Sequence, residues 1–242
     1  MRDEFIASRN NNKIKEAASY KDGKGDYFLV EGFHLVEMAL ATKAAIAVFS
    51  LKDYHCEVPH YYVNEAVLDK LTSTRCPEGI VALCKKNKEK PISSKRVLLL
   101  DAVSDPGNIG TLCRSALAFG FFDVVFGLGS SSPFNGKALM ASQGSVFGVN
   151  LIKSKDLKEN IISLKKEGYS VLGTSLGRSV PLSEAKVGSE DKIALILGNE
   201  GKGVKEELLA LTSSNIRIEM AHIDSLNVAM AGSILMYHYR HL

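Results

Sequence analysis

The sequence predicts an α/β protein built on a parallel sheet, with a smaller α/β unit before it. Through the second half of the chain, short apolar runs alternate with helical segments of about ten or more residues, the pattern of strands joined by crossover helices. A charged stretch containing Pro91, KKNKEKPISSKR at 85–96, interrupts this alternation as a linker would. We therefore predict two domains, residues 1–90 and residues 91–242.

The first domain is predicted from a short series of apolar runs. Strands are expected at 27–30, 45–50 and 79–84, and helices at 32–41 and 64–73. Asn64 stands where an N-cap residue is expected.

The second domain shows a longer alternation. Strands are expected at 97–101, 123–127, 146–152, 169–175, 192–198 and 215–220, and helices at 108–120, 135–144, 154–168, 204–212 and 225–240. Gly120 and Gly168 are predicted to end their helices. The last helix is apolar nearly all round, which predicts that it is buried.

Composition narrows the class of protein. Apolar residues make up 45% and charged residues 24%, as in ordinary globular proteins, and the net charge of +3 lies entirely in residues 1–96. That small basic excess favours RNA contact weakly. No apolar run is long enough to span a membrane, and the four cysteines form no CxxC pair or zinc pattern. We expect reduced thiols, no metal and a cytoplasmic location.

Three polar segments follow predicted strands, where open α/β sheets bind ligands. In the first, DAVSDPGNIGTLCRSALAFG, Asn108 is expected to cap a helix on which Arg114 lies off the apolar stripe. Arg114 would suit a phosphate or an RNA hydroxyl, or it is an ordinary surface arginine. The second, LILGNEGKGVKEEL, matches neither a P-loop nor GxGxxG. Its glycines would serve an anion site or simply a tight turn.

The third segment, HIDSLNVAMAGSI, places Ser225 and Asn227 at the start of the last helix. Either residue type suits an N-cap, and the small residues after them permit close backbone approach. The segment alone leaves open whether it begins a helix or also holds a ligand.

Taken in order, DPGNIGTLCRSALAFG, LILGNEGKGV and IRIEMAHIDSLNVAMAGSI resemble the three signature motifs of the SpoU/TrmH family, RNA ribose 2′-O-methyltransferases of the SPOUT superfamily. FLVEGFHLVEMAL and CPEGIVALCKK resemble the small substrate-binding domain of many members. The resemblance implies a deep trefoil knot near the C-terminus, an S-adenosylmethionine site in that knot, a homodimer and an RNA substrate. We favour 23S rRNA over tRNA.

Carried over by motif, the resemblance implies five catalytic residues. Arg114 would take the proton of the ribose 2′-hydroxyl, and Asn108, Glu200 and Asn227 would position Arg114 and the ribose, with Ser225 beside them. An arginine is a poor base at its usual pKa, so another group, such as an RNA phosphate, would have to assist.

The family's cofactor contacts, which come largely from main chain, map to Thr174, Gly198, Ile218 and Leu226. Glu219 replaces the family's usual proline, and the segment from 220 to 225 is one residue shorter than usual and lacks its glycine. These departures motivate an alternative, a catalytically idle RNA-binding protein of the same fold. A nucleotide-binding oxidoreductase is disfavoured because GxGxxG is absent.

Overall fold

The computed structural model describes residues 4–185 and 192–241 and contains two sheets. The first sheet has the order β1-β4-β3-β5-β2, with β5 antiparallel to β2 and β3 and the other pairs parallel. Its elements are β1 (Glu4–Ile6), α1 (Asn12–Ser19), β2 (Tyr27–Glu31), α2 (Phe33–Ala41), β3 (Ala45–Ser50), β4 (His60–Val63), α3 (Glu65–Leu71) and β5 (Ile80–Lys85).

The predicted elements of this part are confirmed, including the Asn64 cap, whose Oδ1 accepts the N–H of Val67 at 3.0 Å. Sequence patterning missed β1, α1 and β4. These elements are short, and α1 buries only Ile14 and Ala17, too few apolar positions to show a helical period.

The second sheet has the order β10-β12-β9-β11-β6-β7-β8, and all its pairs are parallel, as predicted. Its strands are β6 (Arg96–Asp101), β7 (Asp123–Phe126), β8 (Asn150–Lys153), β9 (Ser170–Thr174), β10 (Val180–Pro181), β11 (Ile193–Gly198) and β12 (Ser214–Arg217). Its helices are α4 (Pro106–Phe119), α5 (Gly136–Ser142), α6 (Leu157–Lys166), α7 (Glu206–Leu209) and α8 (Val228–His238). The trefoil knot remains a prediction.

Both faces of this sheet are covered, which explains the unbroken apolar runs of its central strands. Leu98 and Leu100 of β6 pack with α4 and α8 on one face, while Val97 and Leu99 pack with α6 and α7 on the other. Gly120 ends α4 in the left-handed region at φ +79°, as predicted.

Three expectations about the second domain are wrong. The stretch predicted as a strand at 146–152 contains a 3₁₀ turn, Ser145–Phe147, and only Asn150–Lys153 pairs with the sheet. The last helix begins at Val228 rather than Ser225, and it is buried on one side only. Because α8 packs on α4 and β11, the side chains of Met230, Ile234 and Tyr237 point to solvent.

The two sheets share an apolar cluster. The ring of Phe134, after β7, lies 4.8 Å from that of Phe28 in β2, and Leu139 and Val146 are buried among residues of α2 and β5. The division at residues 90 and 91 remains a prediction. Among the described helices, none has the length and apolar character needed to cross a membrane.

Candidate active site

The predicted site residues gather where β12, β9, β11 and β6 end, at the carboxyl edge of the parallel sheet. Thr174 and Gly198 are the last residues of β9 and β11, and Ile218 directly follows β12. These strands are neighbours, so the loops that leave them meet.

The Glu200 carboxylate holds the loop after β6. Its Oε1 accepts the Asp105 N–H at 3.0 Å and Asn108 Nδ2 at 2.9 Å, while Oε2 accepts the N–H and hydroxyl of Ser104 at 3.1 and 2.9 Å. Burial opposes ionisation, but the hydrogen bonds, led by that from Asn108, outweigh it and lower the pKa of Glu200 to about 2. Glu200 is therefore an anion at neutral pH.

Asn227 joins α8 to this network. Its Nδ2 donates to Asn108 Oδ1 at 3.0 Å, and its own Oδ1 accepts the N–H groups of Ala229 and Met230 at 2.9 and 3.3 Å. One side chain thus caps α8 and orients Asn108. A continuous chain of hydrogen bonds runs from Asn227 through Asn108 to Glu200, with one residue from each of the three polar segments.

The predicted caps are displaced. Asn227, not Ser225, is the N-cap of α8, because Ser225 lies two residues too early and is exposed in an irregular segment. Asp105, not Asn108, caps α4, its Oδ1 accepting the N–H groups of Gly107 and Asn108. Helix α4 begins at Pro106, which leaves the Asn108 side chain for the contact with Glu200.

Arg114 is exposed on α4 and makes no hydrogen bond or ion pair with any described residue. Ser225 likewise has no hydrogen-bond partner in the described part of the chain. The structure therefore brings Asn108, Glu200 and Asn227 into direct contact, and leaves Arg114 and Ser225 outside that network. Ser115 and Ser233, whose hydroxyls are 2.7 Å apart, join α4 and α8 beside Arg114.

The proposed cofactor residues line the same edge. Thr174 Oγ1 donates to the carbonyl of Ile196 at 3.0 Å, which ties β9 to β11, and Ile218 packs against the core. Leu226 is half-buried just before the cap. Residues 221–226 form no hydrogen bond with other described residues, so their main-chain groups are open to a ligand. This arrangement fits a cofactor held mainly by main chain.

The glycine-rich loop is a tight turn, one of the two alternatives left by its sequence. Asn199 and Gly203 exchange main-chain hydrogen bonds of 3.1 and 2.8 Å. A Cβ on Gly198 would lie 2.1 Å from the main chain of Gly203 and Val204, so only glycine fits there. Asn199 Nδ2 donates to the Ala102 carbonyl at 2.9 Å, which fixes this turn against the loop after β6.

Sequence reasoning missed three supporting residues. Ser104 binds Glu200, and Lys137 of α5 pairs with Asp105 at 2.7 Å, a contact that lowers the pKa of Asp105. Glu219 accepts the Leu182 N–H at 3.1 Å and the Ser183 hydroxyl, so it fastens the loop after β12 to the 3₁₀ turn Leu182–Glu184. Ser104 and Glu219 carried a signal, because Ser104 lies in the first polar segment and Glu219 in the third motif, whereas Lys137 lies outside all three segments.

Comparison with known proteins agrees with this geometry. The sequence profile described as the SpoU rRNA Methylase family matches residues 95–237. The chain is 38% identical to the 23S rRNA (guanosine(2553)-2′-O)-methyltransferase RlmP of Bacillus subtilis, over 97% of this chain and 98% of that protein.

Solved structures are similar over nearly the whole chain. An rRNA methyltransferase from Sinorhizobium meliloti superposes with a TM-score of 0.87 at 26% identity, covering 99% of this chain and 98% of that one. The AdoMet-bound form of an rRNA methyltransferase from the same organism gives a TM-score of 0.85 at 26% identity, over 98% and 97% of the two chains.

The bond between Asn227 and Asn108 predicts an energetic coupling. Asn227→Ser keeps a capping oxygen but loses the amide that donates to Asn108, and Asn108→Ala removes the acceptor. A double-mutant cycle on the free energy of unfolding should give a coupling of about 0.5–1.5 kcal/mol. Asn64→Ser, at the cap of α3 in the other sheet, is the matched control and should show no coupling with Asn108→Ala. A zero coupling for Asn227 contradicts the network.

The lowered pKa of Glu200 predicts a pH dependence of stability. A carboxyl whose folded pKa is below its unfolded value of about 4.5 stabilises the fold above that value and loses the effect as pH falls toward 2. Wild type should therefore exceed Glu200→Gln in free energy of unfolding by a constant margin from pH 7 to about 5. The margin should shrink below that in urea titrations. A margin that is flat down to pH 3 would contradict an ionised Glu200.

Proposed function

This chain belongs to the SpoU rRNA methylase family, and we propose that it transfers a methyl group from S-adenosylmethionine to a ribose 2′-hydroxyl of 23S rRNA. The observation that carries the proposal is the chain of hydrogen bonds through Asn227, Asn108 and Glu200, since it unites the three family motifs in one site. The AdoMet-bound relative supports the cofactor.

Similarity to RlmP supports rRNA as the substrate. It extends over 97% of this chain, and so it includes the N-terminal sheet as well as the site. A ribosomal RNA substrate supports a cytoplasmic location for the protein. The alternative substrate is tRNA. Mapping 2′-O-methyl groups in total RNA from cells with and without the protein distinguishes an rRNA substrate from a tRNA substrate.

Bound S-adenosylmethionine supplies an electrophilic methyl group on a sulfonium. We propose that Thr174, Gly198, Ile218 and Leu226 hold this molecule, chiefly through main-chain groups at the carboxyl edge of the sheet. Glu219 keeps the loop after β12 in place by its contacts with Leu182 and Ser183. Methyl transfer to a hydroxyl depends on in-line positioning, so a rigid edge is the main requirement.

The catalytic side chains act on the ribose. Arg114 has no partner in the described part of the chain, so its guanidinium is available to the 2′-hydroxyl and to a neighbouring phosphate. The phosphate can accept the hydroxyl proton, which an arginine that is already protonated cannot take up. Asn108 and Asn227 are oriented by each other and by ionised Glu200. Ser225 is exposed just before the N-cap of α8. Its hydroxyl has no hydrogen-bond partner among the described residues, so it is available to contact the substrate.

Arg114→Ala should lower kcat for methyl transfer from labelled S-adenosylmethionine into 23S rRNA by about 100-fold or more. Binding of S-adenosylmethionine, measured by calorimetry, should stay within twofold, because none of the proposed cofactor residues lies on α4. Arg9→Ala, at an exposed arginine of the first sheet, is the control and should retain full activity. An Arg114→Ala protein as active as wild type refutes the assigned role, whereas a wild type inactive on both rRNA and tRNA refutes the function.

We also propose that the protein is a homodimer through α8. Met230, Ile234 and Tyr237 form an exposed apolar face on this helix, and the ring of Tyr237 contacts that of Phe119 on α4 at 5.6 Å. The face lies beside Arg114's helix, so a second copy packed there would border the site.

Ile234→Glu should convert the dimer to monomer in light scattering, because it places a charge in the proposed interface. Ile162→Glu is the matched control: Ile162 on α6 is 44% exposed, against 41% for Ile234. It should leave the mass unchanged. Equal masses for Ile234→Glu and wild type would contradict the interface.

A further inference from the structure

A large cavity lies between the two sheets, and none of the proposed active-site residues lines it. It encloses about 1240 Å³ and is bounded by the segment after β5, the loop from β7 to α5, and β8. Small-molecule pockets usually measure about 300–1,000 Å³, so this cavity suits a length of polymer better. Five lysines line it, and we call it the lysine cleft: Lys85, Lys86, Lys88, Lys90 and Lys153.

The wall of the cleft is the charged segment that interrupts the sequence pattern at 85–96. It forms neither helix nor strand between 86 and 95, yet it is fixed to the second sheet. Asn150 accepts the Lys90 N–H at 3.0 Å and donates to the Lys90 carbonyl at 2.9 Å. Asp123 accepts the N–H groups of Ser93 and Ser94 at 3.0 and 2.8 Å. The lysines are therefore presented by an ordered backbone.

Most of the lysines that face the cleft are free of ion pairs with described residues. Lys85, Lys88, Lys90 and Lys153 are exposed, and none makes an ion pair with a described residue. Lys86 has a structural part, since its Nζ donates to the carbonyls of Gly23 and Gly25 at 2.5 and 2.7 Å.

Four carboxylates also line the cleft: Asp22, Asp26, Glu89 and Asp123. Asp123 is buried and accepts hydrogen bonds from Ser93, Ser94 and Asn150, which are neutral and leave its charge in place, and Asp26 acts on Lys86. With five lysines against four carboxylates, the lining carries a net charge of +1. Asp22 and Glu89 are left against four exposed ammonium groups. The balance favours an anionic occupant.

The cleft also exposes apolar surface. Phe122, just before β7, is 49% exposed on its wall, and Leu128 is exposed in the loop after β7. Lysines beside an exposed aromatic ring are the combination that binds single-stranded nucleic acid, with phosphates on the ammonium groups and a base on the ring. A free anion or an acidic peptide would use the lysines alone.

The cleft is connected to the active site by one loop. Residues 127–132 form part of its floor, and in that loop Ser131 donates its N–H to the Val103 carbonyl at 2.9 Å and its hydroxyl to the Ser104 carbonyl. Ser104 in turn binds Glu200. An RNA strand lying in the cleft can thus continue over this loop toward Asn108.

We propose that the lysine cleft binds a single-stranded segment of the RNA substrate outside the methylated nucleotide. Lys85, Lys88, Lys90 and Lys153 contact its phosphates, and Phe122 stacks on one of its bases. This inference rests on the proposed function, because it takes RNA as the substrate. It adds a second point of attachment that selects the RNA without taking part in methyl transfer.

The test compares Lys88→Glu/Lys90→Glu with a charge-matched control, Lys43→Glu/Lys166→Glu, whose lysines are exposed outside the cleft. The probe is a protein-free 23S rRNA fragment that wild type methylates. The cleft variant should raise the Kd for this fragment at least tenfold, and should reduce the slope of log K against log salt by about 1.4, as expected for two lost contacts to a single strand. Its KM for RNA should rise while kcat and the KM for S-adenosylmethionine stay within twofold.

Phe122→Ala should raise the Kd about five- to tenfold with the salt slope unchanged, because stacking carries no counterion release. Equal RNA affinity for the cleft variant and its control overturns the proposal. A defect seen on ribosomal particles but not on the protein-free fragment also overturns it, since the cleft would then contact protein. If wild type methylates the fragment and the cleft variant has the same RNA affinity and the same KM for RNA, only the proposal about the cleft is refuted. If wild type methylates no RNA, the proposed function is refuted.

Discussion

The site depends on one carboxylate that accepts five hydrogen bonds. Glu200 follows β11; four of its donors belong to the loop after β6 and the first turn of α4, and the fifth, at 3.4 Å, is the side-chain amide of neighbouring Asn199. The turn that carries Glu200 is closed by its own main-chain bonds, and both this anion and Asn199, which donates to the Ala102 carbonyl, hold the loop after β6 against it. Asn227 extends the contact to α8. The last helix, the glycine-rich turn and the first motif are therefore held in fixed positions relative to one another.

Much of the fold could be predicted because its physical signals are local. The parallel sheet follows from apolar runs covered on both faces, and Gly120 marks the end of α4 because a left-handed residue is needed there. The caps could not be assigned to single residues. Asp105, Asn108, Ser225 and Asn227 are all good capping types, and only the backbone decides which of them precedes the first helical turn.

The site was predictable as a set of residues but not as a network. The motifs named Asn108, Glu200 and Asn227, while their contacts join positions 92 and 119 residues apart, which no local pattern encodes. Glu219 shows the opposite case. Its departure from the usual proline helped to motivate the catalytically idle alternative, yet its carboxylate accepts hydrogen bonds that fasten this loop to residues 182 and 183.

The apolar cluster between the sheets limits how the N-terminal part of this chain could be exchanged for another. Phe28 and α2 complete their packing against Phe134, Leu139 and Val146, which come from the loop and helix after β7. A chimaera joined at residue 90 would bring a foreign surface against these three side chains. It would also put at risk the two hydrogen bonds between the main chain of Lys90 and the side chain of Asn150. A graft that exchanges the first sheet must therefore also carry the apolar surface that Phe134, Leu139 and Val146 provide.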